Sequence, residues 1–254
     1  MKATDMYRLD KLRTLITGGT TGIGLETARQ FLAEGARVAI TGTDPARLAQ
    51  AQTELGPDAL VIASDAGSVA AQQALANTLK TEFGELDAVF INAGVADFRP
   101  IEAFDEAAFD AMMAINLKGP YFLIQQLLPL LRNPSSVVLN TSINARIGMP
   151  NSSVYAASKA GLISMARTLS GELIGRGIRV NAVSPGPVST PIYGKMGLPA
   201  DQLEGLSQHI ASQIPVGRFG NPIEIAKAVV HLASSESSFT VGSELVVDGG
   251  MSNI

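Results

Sequence analysis

The chain has 254 residues, with 19 Lys and Arg against 23 Asp and Glu for a formal net charge of −4. That balance argues against nucleic acid as a partner, since a phosphate backbone selects a basic excess. The absence of Cys excludes disulfides, thiolate metal sites and cysteine nucleophiles, and with only two His, His209 and His231, no metal site is expected. Charged residues make up 17%, below the ~25% of an average globular chain, and hydrophobic residues 46%, which excludes disorder and points to a large buried core. Acids stand in the first ten residues where a secretory leader needs an apolar run, and no window approaches ~18 uninterrupted apolar residues. A soluble cytoplasmic protein with no membrane partner is the expectation.

Taken in chain order, short apolar runs alternate with longer stretches of helical period. Thr14–Thr17 predicts a first strand, and Gly22–Glu34 a helix with Ile23, Ala28, Phe31 and Leu32 available to one face. Arg37–Thr41 predicts a second strand and Ala46–Leu55 a second helix. Leu60–Ala63 and Ser68–Glu82 follow as strand and helix, then Asp87–Ile91 as a fourth strand ended by Asn92-Ala93-Gly94. Asp105–Leu131 is a long helical pattern with a break expected near Gly119-Pro120. Ser136–Asn140 predicts a fifth strand, Ser152–Gly175 another long helix, Ile178–Val183 a sixth strand and Glu244–Val247 a seventh. Such alternation implies right-handed βαβ units and a doubly wound parallel sheet of about seven strands with helices on both faces.

No composition break, repeat or low-complexity tract divides the chain, so residues 1–254 read as a single α/β domain. Pro185 to Pro215 is rich in Gly, Pro and Ser, with at most a short helix near Ala200 to Ala211. It follows the carboxyl end of a strand, where open α/β sheets bind ligands, and reads as a substrate lid around 185–215.

Thr17-Gly18-Gly19-Thr20-Thr21-Gly22-Ile23-Gly24 lies between the first strand and the first helix. Gly18 suits a tight turn, Gly22 a close backbone approach and Gly24 close packing of helix on strand, so a dinucleotide pyrophosphate is expected at the helix N-terminus. The second strand ends Thr41-Gly42-Thr43-Asp44. An acid at Gly42 would accept from a ribose 2′-OH, but Asp44 reads as a helix N-cap ahead of Pro45. Gly42 leaves room for a 2′-phosphate, Thr43 can donate to it, and Arg47 is either a further charge or a solvated helix residue. NADP is therefore preferred, with NAD or dual use as the alternative.

Tyr155 and Lys159 stand four apart on one helix face. A nearby ammonium favours tyrosinate and lowers a phenol pKa from near 10, so the pair could protonate a ketone oxygen or deprotonate an alcohol.

These elements together resemble the short-chain dehydrogenase/reductase family. The matching residues are Thr17-Gly18-x-x-x-Gly22-x-Gly24, Asn92-Ala93-Gly94, Asn116, Ser142 thirteen residues before Tyr155, Tyr155-x-x-x-Lys159, Ser184-Pro185-Gly186 and the tail Gly242 to Val247 with Asp248-Gly249-Gly250. The resemblance covers essentially the whole chain and implies a Rossmann-type fold. It implies that Tyr155 is the general acid in reduction and the base in oxidation. Lys159 would lower its pKa and hold the nicotinamide ribose, Ser142 would bond the substrate oxygen, and Asn116 would fix a water leading from Lys159 to solvent. It also implies cofactor contacts at Thr20, Thr21, Ile23, Asp65, Ala66, Asn92, Ala93, Gly94, Pro185, Gly186, Val188 and Thr190. Ile91 stands where the family often has a second Asn, and Thr21 and Thr43 stand where NADP-preferring relatives often have basic residues.

The resulting reading is a metal-independent oxidoreductase moving a hydride between NAD(P)H and a ketone or secondary alcohol. The alternatives are a 3-oxoacyl-(carrier protein) reductase, for which Arg146 alone is too small a basic patch, and a nicotinamide-binding module without catalysis. Asn144, Met149, Pro187, Tyr193, Met196 and Leu198 are expected, with Ser142 and Tyr155, to line a pocket for a hydrophobic small molecule. The long helix from Ser152 carries Ala156, Ala157, Ala160, Gly161 and Ser164, small enough for another helix to approach. With the resemblance, which implies two different subunit interfaces, this predicts a homotetramer, with a dimer as runner-up.

Overall fold

A computed structural model describes residues 7–190 and 200–254. Seven strands form one sheet in the order β3-β2-β1-β4-β5-β6-β7. They are β1 (Arg13–Ile16), β2 (Arg37–Gly42), β3 (Ala59–Ala63), β4 (Leu86–Ile91), β5 (Leu131–Asn140), β6 (Ile178–Pro185) and β7 (Glu244–Val247), and every neighbouring pair is parallel. The chain winds outward from β1 in one direction to β3 and in the other from β4 to β7. The crevice for a ligand therefore opens at the carboxyl ends of β1 and β4, where the winding reverses.

Successive residues of a strand face opposite sides, and each side here is apolar. Leu15, Val89 and Val137 join one buried cluster with Leu79, Leu127 and Leu162, while Ile16, Phe90 and Val138 join a second with Phe31 and Val229. Burial on both faces is why the strands read as unbroken apolar runs.

The helices are α1 (Gly22–Ala33), α2 (Pro45–Leu55), α3 (Val69–Glu82), α4 (Glu106–Met113), α5 (Gly119–Leu127), α6 (Ser153–Leu173), α7 (Ala200–Gln213) and α8 (Pro222–Ala233). Asp44 caps α2 by accepting from the N–H groups of Ala46 and Arg47 at 2.9 and 3.1 Å, with Pro45 in the first turn, as the sequence predicts. The sequence reading omits α8, although its capping box of Asn221 with Glu224 was there to be read. This helix buries Ile225, Val229 and Val230 on the second cluster.

The predicted helix over 105–131 is two helices. A π-helical turn, Ala114–Lys118, joins α4 to α5, so the irregularity precedes Gly119-Pro120. α5 stops at Leu127 because Pro129 has no N–H for the next turn and its ring clashes with the turn before it. The fifth strand then begins at Leu131, five residues ahead of the predicted start. No helix among the described residues is long and apolar enough to cross a membrane.

Candidate active site

The turn after β1 is held from both sides. Gly18 has φ +62° and donates its N–H to Thr41 Oγ1 at 3.3 Å, and Gly19 donates to the Thr41 carbonyl at 2.9 Å. Thr17 Oγ1 accepts from the N–H groups of Asn92 and Ala93, each at 3.0 Å. Asn92 Nδ2 donates in return to the carbonyls of Thr17 and Gly18, also at 3.0 Å. A Cβ on Gly24 would stand 2.2 Å from the Gly18 carbonyl oxygen, so only glycine lets α1 start this close to the turn. Thr21 forms no side-chain cap, whereas Asp44, Ser68 and Asp105 cap α2, α3 and α4. The first-turn N–H groups of α1, with Gly22 and Ile23, are thus uncapped beside the crevice, and the cradle fits a dinucleotide pyrophosphate.

At the end of β2, a Cβ on Gly42 would lie 2.7 Å from Thr20 Cγ2, so Thr20 occupies the space beside it. Thr43 is exposed, and Arg47 Nε lies 3.8 Å from Asp44 Oδ2. Asp65 accepts from the Gly67 N–H at 2.8 Å, and the Ala66 carbonyl accepts from Gln72 at 2.8 Å. Gly186 donates to the Val247 carbonyl at 3.0 Å, Val188 is buried, and Thr190 is half-buried.

Asn116 and Lys159 converge on the Asn92-Ala93-Gly94 turn, where a Cβ on Gly94 would stand 3.3 Å from both Asn116 Oδ1 and Lys159 Nζ. Asn116 sits in the π turn, fully buried. Its Oδ1 accepts from the Val95 N–H at 2.9 Å, and its Nδ2 donates to the Val95 carbonyl at 2.9 Å and to Ser158 Oγ at 3.1 Å. Ser158 Oγ donates to the Tyr155 carbonyl at 2.7 Å. Lys159 is buried, lies 5.7 Å from the centre of the Tyr155 ring and donates to the Asn140 carbonyl at 2.8 Å. Desolvation brings its pKa down to about 8. Ser142 Oγ accepts from the Asn144 N–H at 3.2 Å.

Tyr155 departs from the expectation of a lowered pKa. Its ring keeps some exposure to the cleft, but the protein around the hydroxyl raises the pKa by desolvation, against which only the hydrogen bond with Ser142 acts. The Lys159 ammonium, 5.7 Å from the ring centre, does not offset that rise. A phenol that keeps its proton suits a donor to a carbonyl oxygen.

Asn144 and Met149 lie beside Ser142: Ser142 Oγ donates to Asn144 Oδ1 at 3.4 Å, and Asn144 Nδ2 is 3.4 Å from Met149 Sδ. Pro187 accepts from the Gly220 N–H at 2.9 Å, which fastens the start of the segment after β6. Tyr193, Met196 and Leu198 lie outside the described residues. A cavity of 480 Å³ adjoins this side, lined in part by Arg99, Ile101, Ile147, Met149 and Ala156. Arg146 is exposed and forks onto Glu244.

Three residues of the site were missed. Ser158 lies within the Tyr–Lys motif, and Asn140 ends a strand at its carboxyl end, so both carried a readable signal. Phe98, whose ring meets the Tyr155 ring edge-on at 5.7 Å between centroids, comes from a loop without periodicity and carried none.

A family model described as enoyl-(acyl carrier protein) reductase matches residues 18–252. The chain is 37% identical to the oxidoreductase asL5 of Sarocladium schorii, over 98% of this chain and 99% of that one. It is 34% identical to galactitol 2-dehydrogenase of Agrobacterium fabrum, over 96% and 98%. The solved structure of levodione reductase superposes with a TM-score of 0.91 at 31% identity, covering 96% of this chain and 99% of that chain.

Proposed function

The chain belongs to the short-chain dehydrogenase/reductase family and is an NAD(P)-dependent oxidoreductase, and from that premise we propose that it interconverts a ketone and a secondary alcohol on a small, largely apolar molecule. The observation that carries this reading is the convergence of Ser142, Tyr155 and Lys159 beside the Gly94 turn. When bound, NAD(P)H supplies a hydride to the carbonyl carbon. Tyr155 holds the proton that the developing alkoxide needs, and burial keeps it there until the oxygen takes it. Ser142 stands close enough to act on that hydroxyl, and it donates to the same oxygen as charge builds there, giving up Asn144 Oδ1. Lys159 places a cation within 5.7 Å of the Tyr155 ring, and Asn140 fixes its position. Asn116 and Ser158 lock the turn and helix that carry these groups.

Met149 and Phe98 give the substrate side an apolar wall, which supports a hydrophobic ketone. The uncharged rim formed by Gly42 and Thr43 supports NADP, with NAD or dual use as the alternative. We further infer a homotetramer: Ala157, Ala160 and Ser164 are exposed along α6, and Phe109 and Tyr121 are exposed on α4 and α5. A panel of cyclic, aliphatic and sugar ketones, run with NADH and with NADPH, tests the reading. Turnover of an apolar ketone with a preference for NADPH is expected, and no cofactor oxidation with any ketone would refute it.

A further inference from the structure

Glu244 begins the edge strand β7, yet its side chain is only 5% exposed. A carboxylate out of water needs partners for both oxygens, and here both are used. Oε1 accepts from Arg146 Nε at 2.8 Å and from Ser184 Oγ at 2.6 Å; Oε2 accepts from Arg146 Nη2 at 2.9 Å, with Arg167 Nη2 at 3.9 Å. Ser184 Oγ is in turn hydrogen-bonded to Thr141 Oγ1, and the Thr141 N–H donates to the Val183 carbonyl at 2.8 Å.

These partners bracket Ser142. Ile143–Ala145 forms a single 3₁₀ turn capped by Ser142, in which the Ala145 N–H donates to the Ser142 carbonyl at 3.1 Å and the Arg146 N–H to the Ile143 carbonyl at 2.7 Å. Thr141 enters that turn and Arg146 leaves it, and both lead to one carboxylate. Ser184 also immediately precedes the Pro185-Gly186 turn.

We propose that Glu244 is a positioning residue: by gripping the turn at Arg146 and, through Ser184, at Thr141, it fixes the direction of the Ser142 hydroxyl relative to Tyr155. The inference rests on the reading of Ser142 and Tyr155 given above. A bidentate guanidinium–carboxylate pair fixes angle as well as distance, which a single hydrogen bond does not. Without it, Ser142 keeps its chemistry and loses its aim.

The test crosses Glu244→Gln with Ser142→Ala and follows kcat, the KM for NADPH or NADH, and Tm. Glu244→Gln is expected to lower kcat at least about tenfold, the order of loss that a misplaced catalytic group causes. The cofactor KM should stay within about twofold, and in the Ser142→Ala background the same change should lower kcat by less than about twofold, because the group being aimed is gone. An equal factor in both backgrounds, or a kcat near wild type in Glu244→Gln whatever its Tm, overturns the inference. Full activity in Ser142→Ala overturns the reading of the site, and the inference with it; loss there beside an unaffected Glu244→Gln overturns the inference alone. If Glu244→Gln does not fold, Arg146→Met removes the other half of the grip and takes its place in the same comparison.

Discussion

Lys159 and Asn140 are joined by a hydrogen bond of 2.8 Å, from the ammonium nitrogen on α6 to the main-chain carbonyl that closes β5. The strand thus sets where the cation stands relative to Tyr155. Asn140 Nδ2 also donates to Asn92 Oδ1 at 2.9 Å, so the glycine turn, the end of β5 and the Tyr–Lys helix share one rigid set of contacts.

Replacing Tyr155 by Phe keeps the ring against Phe98 and removes the proton. A loss in kcat of about 10²–10⁴-fold is expected, the usual worth of a general acid, with cofactor binding nearly intact. Steady-state kinetics beside a cofactor titration decide it, and substantial activity in the variant would take Tyr155 out of the mechanism.

Burial of Lys159 has a pH signature. Its pKa is about 8 in the folded chain against 10.5 ordinarily, so between those values the unfolded state binds more protons and stability rises with pH. Below about 8 both states hold the proton, and the folded state bears the full cost of burying the charge. In Lys159→Met that rise is absent. Melting curves of both proteins without cofactor, from pH 7 to pH 10, should therefore show wild type gaining on the variant; parallel curves would refute the buried ammonium.

Gly42→Asp tests cofactor choice. The new carboxylate would displace Thr20, whose methyl lies 2.7 Å from the added Cβ, and would face the 2′ position. With NADPH as the natural cofactor, relative kcat/KM should shift toward NADH at least about tenfold, or ~1.4 kcal/mol. Gly42→Ala carries the steric part alone and should leave the ratio unchanged. An unchanged ratio in Gly42→Asp would show that the ribose lies elsewhere.

Asn116→Ala strips the Val95 N–H and carbonyl of the buried side chain that binds them. Val95 is exposed, so each lost bond costs about 0.5–1.5 kcal/mol, and the variant should melt a few degrees lower. It should also lose kcat, since Val95 adjoins the Gly94 turn. Calorimetry that matches wild type would overturn the structural part.

Light scattering at micromolar concentration should give a particle near four times the 26.5 kDa chain mass. A single chain mass would remove both proposed interfaces, and twice the chain mass would leave one.

The strands were legible because both faces of the sheet are covered, which writes each strand as an unbroken apolar run. Asp44 was legible because an acid followed by Pro is a helix start. The phenol pKa was not, because spacing four residues apart says that Tyr155 and Lys159 are near each other but not how far the fold takes the phenol hydroxyl out of water. Phe98 was hidden for a related reason, since a loop residue's neighbours depend on the path of the chain rather than on a repeat. The π turn escaped because Gly119-Pro120, the visible breakers, sit just past it and fit the start of α5 without a kink.

The turn at Ala114–Lys118 amounts to one residue more than a continuous α-helix would use. At 3.6 residues per turn, one residue is about 100° of rotation. Deleting one residue from this stretch would restore a regular helix, but every side chain on one side of the deletion would swing to a new face relative to the other. Asn116 could then keep its grip on Val95 only if α4 gave up its place, or the reverse. Length at this point is therefore as constrained as residue identity: alignments that open a gap here, and libraries that vary loop and helix lengths, should find 114–118 intolerant to insertion or deletion even where single substitutions pass.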